Sequence, residues 1–293
     1  MKGDFCCYRH NYGYIPCNLM NEAVAYDMEY ALADGAAAQA AKALGRTADY
    51  EHFTRMSHSY RTYFDRETGF IRGVDDKGAF RTPFNPYYAA HRADDYCEGN
   101  AWQYTWLVPH DIEEYATLFG GREACIAHLD SLFLAPSTIE GDPSPDISGM
   151  IGQFAHGNEP SHHILYLYTM LGEPQKTAKW VREVMKTQYR DAPDGLSGNE
   201  DMGQMSAWYI MSALGLYEVE PASGRYWFGS PIIDRAELTV EGGTFTIEVI
   251  GGSEENTHIQ SMQLNGQPYA LPYIMHDDIA KGGILTITMG NGI

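Results

Sequence analysis

Apolar positions recur at helical spacing over much of the chain. Between Asn21 and Leu44, Val24, Met28, Leu32 and Leu44 fall near a 3.6-residue repeat inside an alanine-rich run that stops at Gly45. This pattern predicts a helix packed closely on its neighbours. A second helix is predicted from Thr47 to Phe64, ending at the turn Asp65–Gly69. An irregular or hairpin segment, punctuated by Gly73 and Gly78, then runs from Phe70 to Arg81. Further helices are predicted near Gly99–Val108, Ile112–Phe119, Arg122–Leu134, Pro160–Leu171, Pro174–Tyr189 and Gly203–Leu214. Two of them open on Pro, a favoured first helical residue. After Pro221 the period changes to short alternating runs, Ala236–Val240, Phe245–Val249 and Ile284–Thr288, separated by Gly-Gly and Asn-Gly turns. The expectation is a mainly α fold of stacked helical hairpins, toroid or solenoid, over 1–220, with a small β-rich unit over 221–293.

Charge and size narrow the partners. At 293 residues with 44% hydrophobic content the chain is long enough to bury one large core or two. Its 20 Lys+Arg against 39 Asp+Glu leave a formal charge of −19, the same sign as nucleic acid and anionic lipid. Both are poor partners for it. The five cysteines, Cys6, Cys7, Cys17, Cys97 and Cys125, show no metal-ligand spacing and form no disulfide framework. No apolar run is long enough for a membrane helix, and the start Met1–Tyr8 has no apolar leader core.

Three polar loops hold the candidate chemistry. In Asp94–Trp106, Glu98 precedes Gly99 and then Trp102 and Trp106. A carboxylate beside indoles loses solvation and can act as a proton donor near neutral pH, although a helix-start acid explains the same string. In Ala155–His163, Asn158 and Glu159 offer oxygen to a hard cation such as Ca²⁺, while the adjacent His162 and His163 lack zinc spacing. A capped helix with solvated histidines is the structural alternative. In Asp194–Tyr209, Glu200 and Asp201 stand between Gly198 and Gly203 just before a helix, where they could hold a water or cation or simply cap the helix.

Two acidic sites with aromatics and amides are what glycoside cleavage requires. One carboxyl protonates the leaving oxygen and the other takes a proton from water. No Gly-x-Ser-x-Gly elbow, phosphate loop with Lys or His-Glu-x-x-His helix competes with this reading.

Taken in order, several strings resemble glycoside hydrolase family 92, calcium-dependent exo-acting α-mannosidases. They include Gly13–Pro16, Glu29–Ala31, Phe64–Gly73, Phe80–Phe84, Glu98–Tyr104, Val108–Asp111, His156–His163 and Gly198–Tyr209. The resemblance continues through Ile259–Ser261 and Leu264–Gly266. It implies an (α/α)6 toroid, single displacement with inversion, and Ca²⁺ engaging the mannose 2- and 3-hydroxyls. Glu98 falls on the family's general acid and Asp201 on its general base, aided by Glu200. Asn158 and Glu159 fall in the calcium segment. Trp102, Gln103, His156, Asn199 and Gln204 are the implied substrate contacts.

The chain also departs from the family. Many members carry Asp where Asn199 stands, leaving one carboxylate fewer near the base. The family's N-terminal β-sandwich domain, which lends residues to the pocket, is absent from this sequence, and the helical stretches are too few for a full toroid. The chain therefore resembles a C-terminal portion whose partners would be a mannose-containing glycan and the missing domain or a second chain. Such a portion would leave the Val24/Met28/Leu32 face open and turn over α-mannosides weakly or not at all. The alternative is a noncatalytic carbohydrate-binding or scaffold remnant. The resemblance places relatives in the periplasm or outside the cell.

Overall fold

A computed structural model describes residues 4–292, with side chains from Cys7 onward. The side chain of Cys6 and the start Met1–Gly3 therefore lie outside what is described. The chain forms two compact units, Met1–Ser161 with Pro221–Ser223, and His162–Glu220 with Gly224–Ile293. The change from helix to strand along the chain falls later, after the helix Gln204–Leu214. Among the described residues no helix is long and apolar enough to cross a membrane.

In the first unit the long helix Ala23–Ala43 follows the predicted alanine-rich pattern. Gly45, at φ 67°, lets the chain turn back into the helix Thr47–Ser57. Val24 and Met28 are fully buried and Leu32 is half-buried, so the apolar face expected to lie open is covered. Beside the helix Ala23–Ala43 lies another, Asp4–Tyr12, which the hydrophobic pattern does not show. Its Arg9 reaches the fully buried Asp27 at 2.5 Å and Asp34 at 2.7 Å. Burial pushes the Asp27 carboxyl up and the Arg9 guanidinium pulls it back.

The helix expected over Thr47–Phe64 breaks at His58–Ser59. Tyr60 and Tyr63, in the short turn Tyr60–Tyr63, are both fully buried. Their hydroxyls are committed, Tyr60 to Asp111 at 2.6 Å and Tyr63 to the carbonyl of Ile15 at 2.9 Å. Phe64–Asp65 then pairs with Phe70–Ile71, so the predicted turn Asp65–Gly69 closes a short hairpin that begins before the expected Phe70–Arg81 segment. The Asp65 carboxylate closes its turn by accepting from Glu67 N, Thr68 Oγ1 and Arg72 Nη1. The unit is completed by the short helix Ala101–Tyr104 and the helices Ile112–Leu118 and Arg122–Leu134.

In the second unit all seven residues of the helix Ile164–Met170 are buried. The helix Pro174–Thr187, with Pro at its first position as predicted, packs an apolar stripe of Ala178, Val181, Val184 and Met185. Five strands follow in the spatial order Gln267–Tyr269, His258–Leu264, Gly283–Gly290, Gly243–Ile250, Arg235–Val240. Gly283–Gly290 and Gly243–Ile250 run parallel. A separate three-stranded sheet joins Tyr273–Met275, Arg225–Phe228 and Leu216–Glu218. One apolar cluster, including Leu216, Phe228, Phe245, Ile247, Ile274, Leu285 and Ile287, runs through this β-rich part.

Candidate active site

Glu98 sits on a loop braced from several directions. The first turn of a helix leaves N–H groups without intrahelical acceptors. At the start of Ala23–Ala43 those donors hold this loop instead: Val24 N and Ala25 N donate to the Asp95 carbonyl at 3.1 and 3.2 Å, and Glu22 N to the Asp94 carbonyl at 2.6 Å. The Asp95 carboxylate receives Arg81 Nε at 2.8 Å and Nη2 at 2.9 Å, and Arg81 Nη2 also donates to the Cys17 carbonyl at 2.6 Å. Gly73 makes room for this pair, since a Cβ there would stand 2.1 Å from Asp95 Oδ2. The Asp94 carboxylate accepts Ala90 N at 2.6 Å and Tyr96 N at 2.9 Å, and burial pushes its pKa up to about 6 despite those bonds.

Glu98 itself is left-handed, at φ 50°, a conformation a non-glycine residue keeps only when its surroundings enforce it. Those surroundings are specific. The Glu98 carbonyl accepts Asn158 Nδ2 at 2.9 Å, and Glu98 Oε2 lies 3.5 Å from the same amide nitrogen. Tyr104 donates its hydroxyl to the Cys97 carbonyl at 2.7 Å. Next, Asn100 caps the helix Ala101–Tyr104, its Oδ1 accepting Trp102 N at 2.9 Å while Gln103 Oε1 accepts Asn100 N at 2.7 Å. Of the predicted helix Gly99–Val108 four residues, Ala101–Tyr104, are α-helical.

Trp102 and Gln103 are thus placed beneath the loop. Gln103 is buried and donates to the Gln153 carbonyl at 2.5 Å. Trp102 packs edge-on to Phe70 at 4.8 Å and lies parallel to His128 at 6.0 Å. Burial there pushes His128 down to about 4. His156 is fully buried with its ring 5.9 Å from Phe154.

The segment after His156 differs from the predicted helix. Glu159–Ser161 is a single 3₁₀ turn, and the α-helix begins only at Ile164. Asn158 accounts for the difference: its Oδ1 accepts Glu159 N at 3.2 Å and its carbonyl accepts Ser161 N at 3.2 Å. His162 and His163 are buried, not solvated. For a cation, the Asn158 amide oxygen, the Glu159 carboxylate and the Glu98 carboxylate are hard donors and fit Ca²⁺ in kind. Among the described residues no group of three or more His, Cys, Asp or Glu is clustered to hold a metal.

The Glu200–Asp201 loop belongs to the second unit. Met202, at φ 54°, and Gly203, at φ 78°, turn the chain sharply into the helix Gln204–Leu214. Glu200 caps this helix from outside, its carboxylate accepting Ser206 N at 3.2 Å and Ser206 Oγ at 2.6 Å. Asp201 is exposed, and among the described residues its carboxylate enters no hydrogen bond or ion pair. Asn199 is exposed as well. Gln204 donates to the Tyr217 hydroxyl at 3.0 Å and lies 3.2 Å from His162 Nδ1. Below, Trp208 Nε1 donates to the His162 carbonyl at 3.0 Å, and Tyr189 lies flat on Trp208.

Arg81, Asp95 and Gln153 escaped the sequence reading. Gly73 was the available signal, because a glycine inside a strand-like run marks a close approach. Burial pushes the Cys17, Cys97 and Cys125 thiols up to about 11, 12 and 12, which disfavours their thiolate forms.

With this geometry in hand, the comparisons give the class of protein. Residues 3–291 match the glycosyl hydrolase family 92 catalytic domain, and the chain belongs to that family. Its mainly helical part with a small β-rich C-terminal part is the family's (α/α)6 class of fold, as the sequence led us to expect. Among solved structures it is similar to a family GH92 α-mannosidase from Bacteroides thetaiotaomicron in complex with mannoimidazole, with TM-score 0.90, 39% identity and coverage of 98% of this chain and 38% of that one. A second GH92 protein of that organism, described as an inverting mannosidase, gives TM-score 0.86, 34% identity and coverage of 98% and 40%. An uncharacterized secreted glycosidase of Arthroderma benhamiae is 26% identical over 306 residues, 96% of this chain and 37% of the relative. The chain thus spans a little over a third of the length of these relatives.

Proposed function

We propose that this chain carries the acid and base of an exo-α-mannosidase that removes terminal α-linked mannose with inversion. The observation that carries the reading is the match over 98% of the chain, at TM-score 0.90, to an α-mannosidase solved with mannoimidazole. The relative described as an inverting mannosidase supports the stereochemistry.

Glu98 acts as general acid, giving its proton to the glycosidic oxygen as the bond from that oxygen to the anomeric carbon breaks. Asp201 acts as general base, taking a proton from the water whose oxygen bonds to the opposite face of that carbon. The locked backbone around Glu98 keeps its carboxyl from wandering, which is what a proton donor to one particular oxygen needs. Glu200, committed to Ser206, holds the base loop in shape and leaves Asp201 available to water. Gln204 and Asn199 flank the base, while Trp102, Gln103 and His156 support the acid loop from below. Asn158 and Glu159 would hold Ca²⁺, which when bound supplies Lewis-acid polarisation of sugar hydroxyls. Inversion requires the two carboxyls to stand about 6.5–9.5 Å apart, leaving room for the water.

The test follows product stereochemistry by proton NMR: an α-mannoside substrate should release β-mannose first. Immediate release of α-mannose would defeat the inverting mechanism. Asn199, which leaves one carboxylate fewer near the base, favours one second reading, a sugar-binding module without turnover. Calorimetry with mannose, with and without Ca²⁺, beside a rate assay separates the two, since binding without hydrolysis supports the module.

A further inference from the structure

A cavity of about 280 Å³ opens in the first unit between Arg72, Arg81, Phe84, Tyr88, Asp94 and Tyr96. Glu98 is not among its lining residues. Its size is near the lower end of small-molecule clefts. Its charges are mostly cancelled: Arg72 pairs with Asp65 at 2.6 Å and Arg81 with Asp95 at 2.8 Å. Among the described residues Asp94 enters no ion pair, and its carboxyl disfavours an anion such as phosphate.

The unspent polar capacity is specific. Arg81 has five N–H donors and spends them through Nε and Nη2 on Asp95 and the Cys17 carbonyl, leaving the Nη1 amino group. Asp94 accepts one backbone N–H on each oxygen and keeps a lone pair on each. A donor group beside an acceptor pair complements adjacent hydroxyls. The walls add aromatic carbon. Phe84 has one face against the Arg72 guanidinium at 4.4 Å. Tyr88 is 45% exposed, its ring resting where Gly141 has no Cβ to displace it, 2.8 Å from where one would be. An aromatic wall of this kind packs on the C–H face of a sugar while the polar rim takes its hydroxyls.

We propose that this cavity is a second carbohydrate site, which binds one uncharged hexose ring of the mannose type. The choice of mannose rests on the function proposed above, whereas the preference for a neutral polyol rests on the cavity alone. Tyr88 supplies the platform, and Arg81 with Asp94 reads a pair of neighbouring hydroxyls.

Calorimetric titration of the Glu98→Gln chain with methyl α-D-mannopyranoside tests this. Adding Tyr88→Ala should weaken one binding event at least tenfold, and Tyr88→Phe, which keeps the ring, should restore it to within about twofold. Inorganic phosphate should not compete. Unchanged affinity in the Tyr88→Ala protein with its circular dichroism intact, displacement by phosphate, or no heat from the methyl mannoside, glucoside or galactoside would each overturn the proposal. If the catalytic reading fails instead, the unmutated chain shows no hydrolysis while the Tyr88-dependent binding stays.

Discussion

The two loops that carry the candidate acid and base are built in opposite ways. The Glu98 loop is tied down by two backbone amides of a neighbouring helix and one just before it, by the Arg81–Asp95 pair and by the Asn158 amide, and the residues that follow it are buried. The Glu200–Asp201 loop is exposed and held chiefly by one carboxylate that caps the next helix. Yet each contains a non-glycine residue in the left-handed region, Glu98 itself and Met202 beside Asp201. The difference matches the two proposed tasks. A proton donor must meet one oxygen of the substrate, whereas a base must meet water, which arrives from solvent and needs an open carboxylate.

Several substitutions press on that contrast. The largest effect falls on turnover: Glu98→Gln and Asp201→Asn should each lower kcat about 10²–10⁴-fold, the usual size of a lost general acid or base, with the fold intact by circular dichroism. Equal loss from both would show that tethering is unrelated to importance. An unaffected rate in either variant would remove that residue's role.

Stability should separate the loops next. Gly73→Ala drives a Cβ to 2.1 Å from Asp95 Oδ2 and is expected to cost about 1–3 kcal/mol, read from urea denaturation. On the other loop, Glu200→Ala removes an exposed cap and should cost about 1 kcal/mol. If the order were reversed, the acid loop would not be the more rigidly specified of the two.

The smallest effects are in pH dependence. Asp94 has its carboxyl raised from 3.8 to about 6 in the folded chain, so the folded state holds the proton more tightly and this residue's contribution to stability falls as pH rises from about 4 to about 6. His128 is lowered from 6.5 to about 4, so its contribution is lost as pH falls across that interval. The stability of the unmutated chain relative to Asp94→Asn should therefore decline between pH 4 and pH 6. Relative to His128→Phe it should rise over the same range. A flat difference in either comparison would contradict the corresponding burial.

Local chemistry was readable in the sequence wherever it followed from spacing. The helix Arg122–Leu134 and the Gly45 stop came from periodicity and punctuation, and the turn at Asp65–Gly69 came from its turn residues, although the strand pair it joins did not. The break at His58–Ser59 was not readable, because Tyr60 and Tyr63 are helix-compatible residues whose hydroxyls find partners only in three dimensions, at Asp111 and Ile15. The same holds for Asn158, which reads as a helix cap but turns the chain through a 3₁₀ segment while reaching back to Glu98. The helix Asp4–Tyr12 was missed because it has no apolar stripe and is tied in by a charged residue, Arg9, through Asp27 and Asp34. The candidate acid and base were found by residue type and family resemblance. What braces them, Arg81 with Asp95 and Glu200 with Ser206, lies in pairings that no local pattern encodes.

The most direct test of the proposed mechanism is a crystal structure of the Glu98→Gln chain with an α-mannoside bound. The account predicts a single sugar with the side chains of residues 98 and 201 on opposite sides of its anomeric carbon, about 6.5–9.5 Å apart, and a water on the Asp201 side. A separation near 5 Å, or a sugar that touches only one of the two, would contradict it.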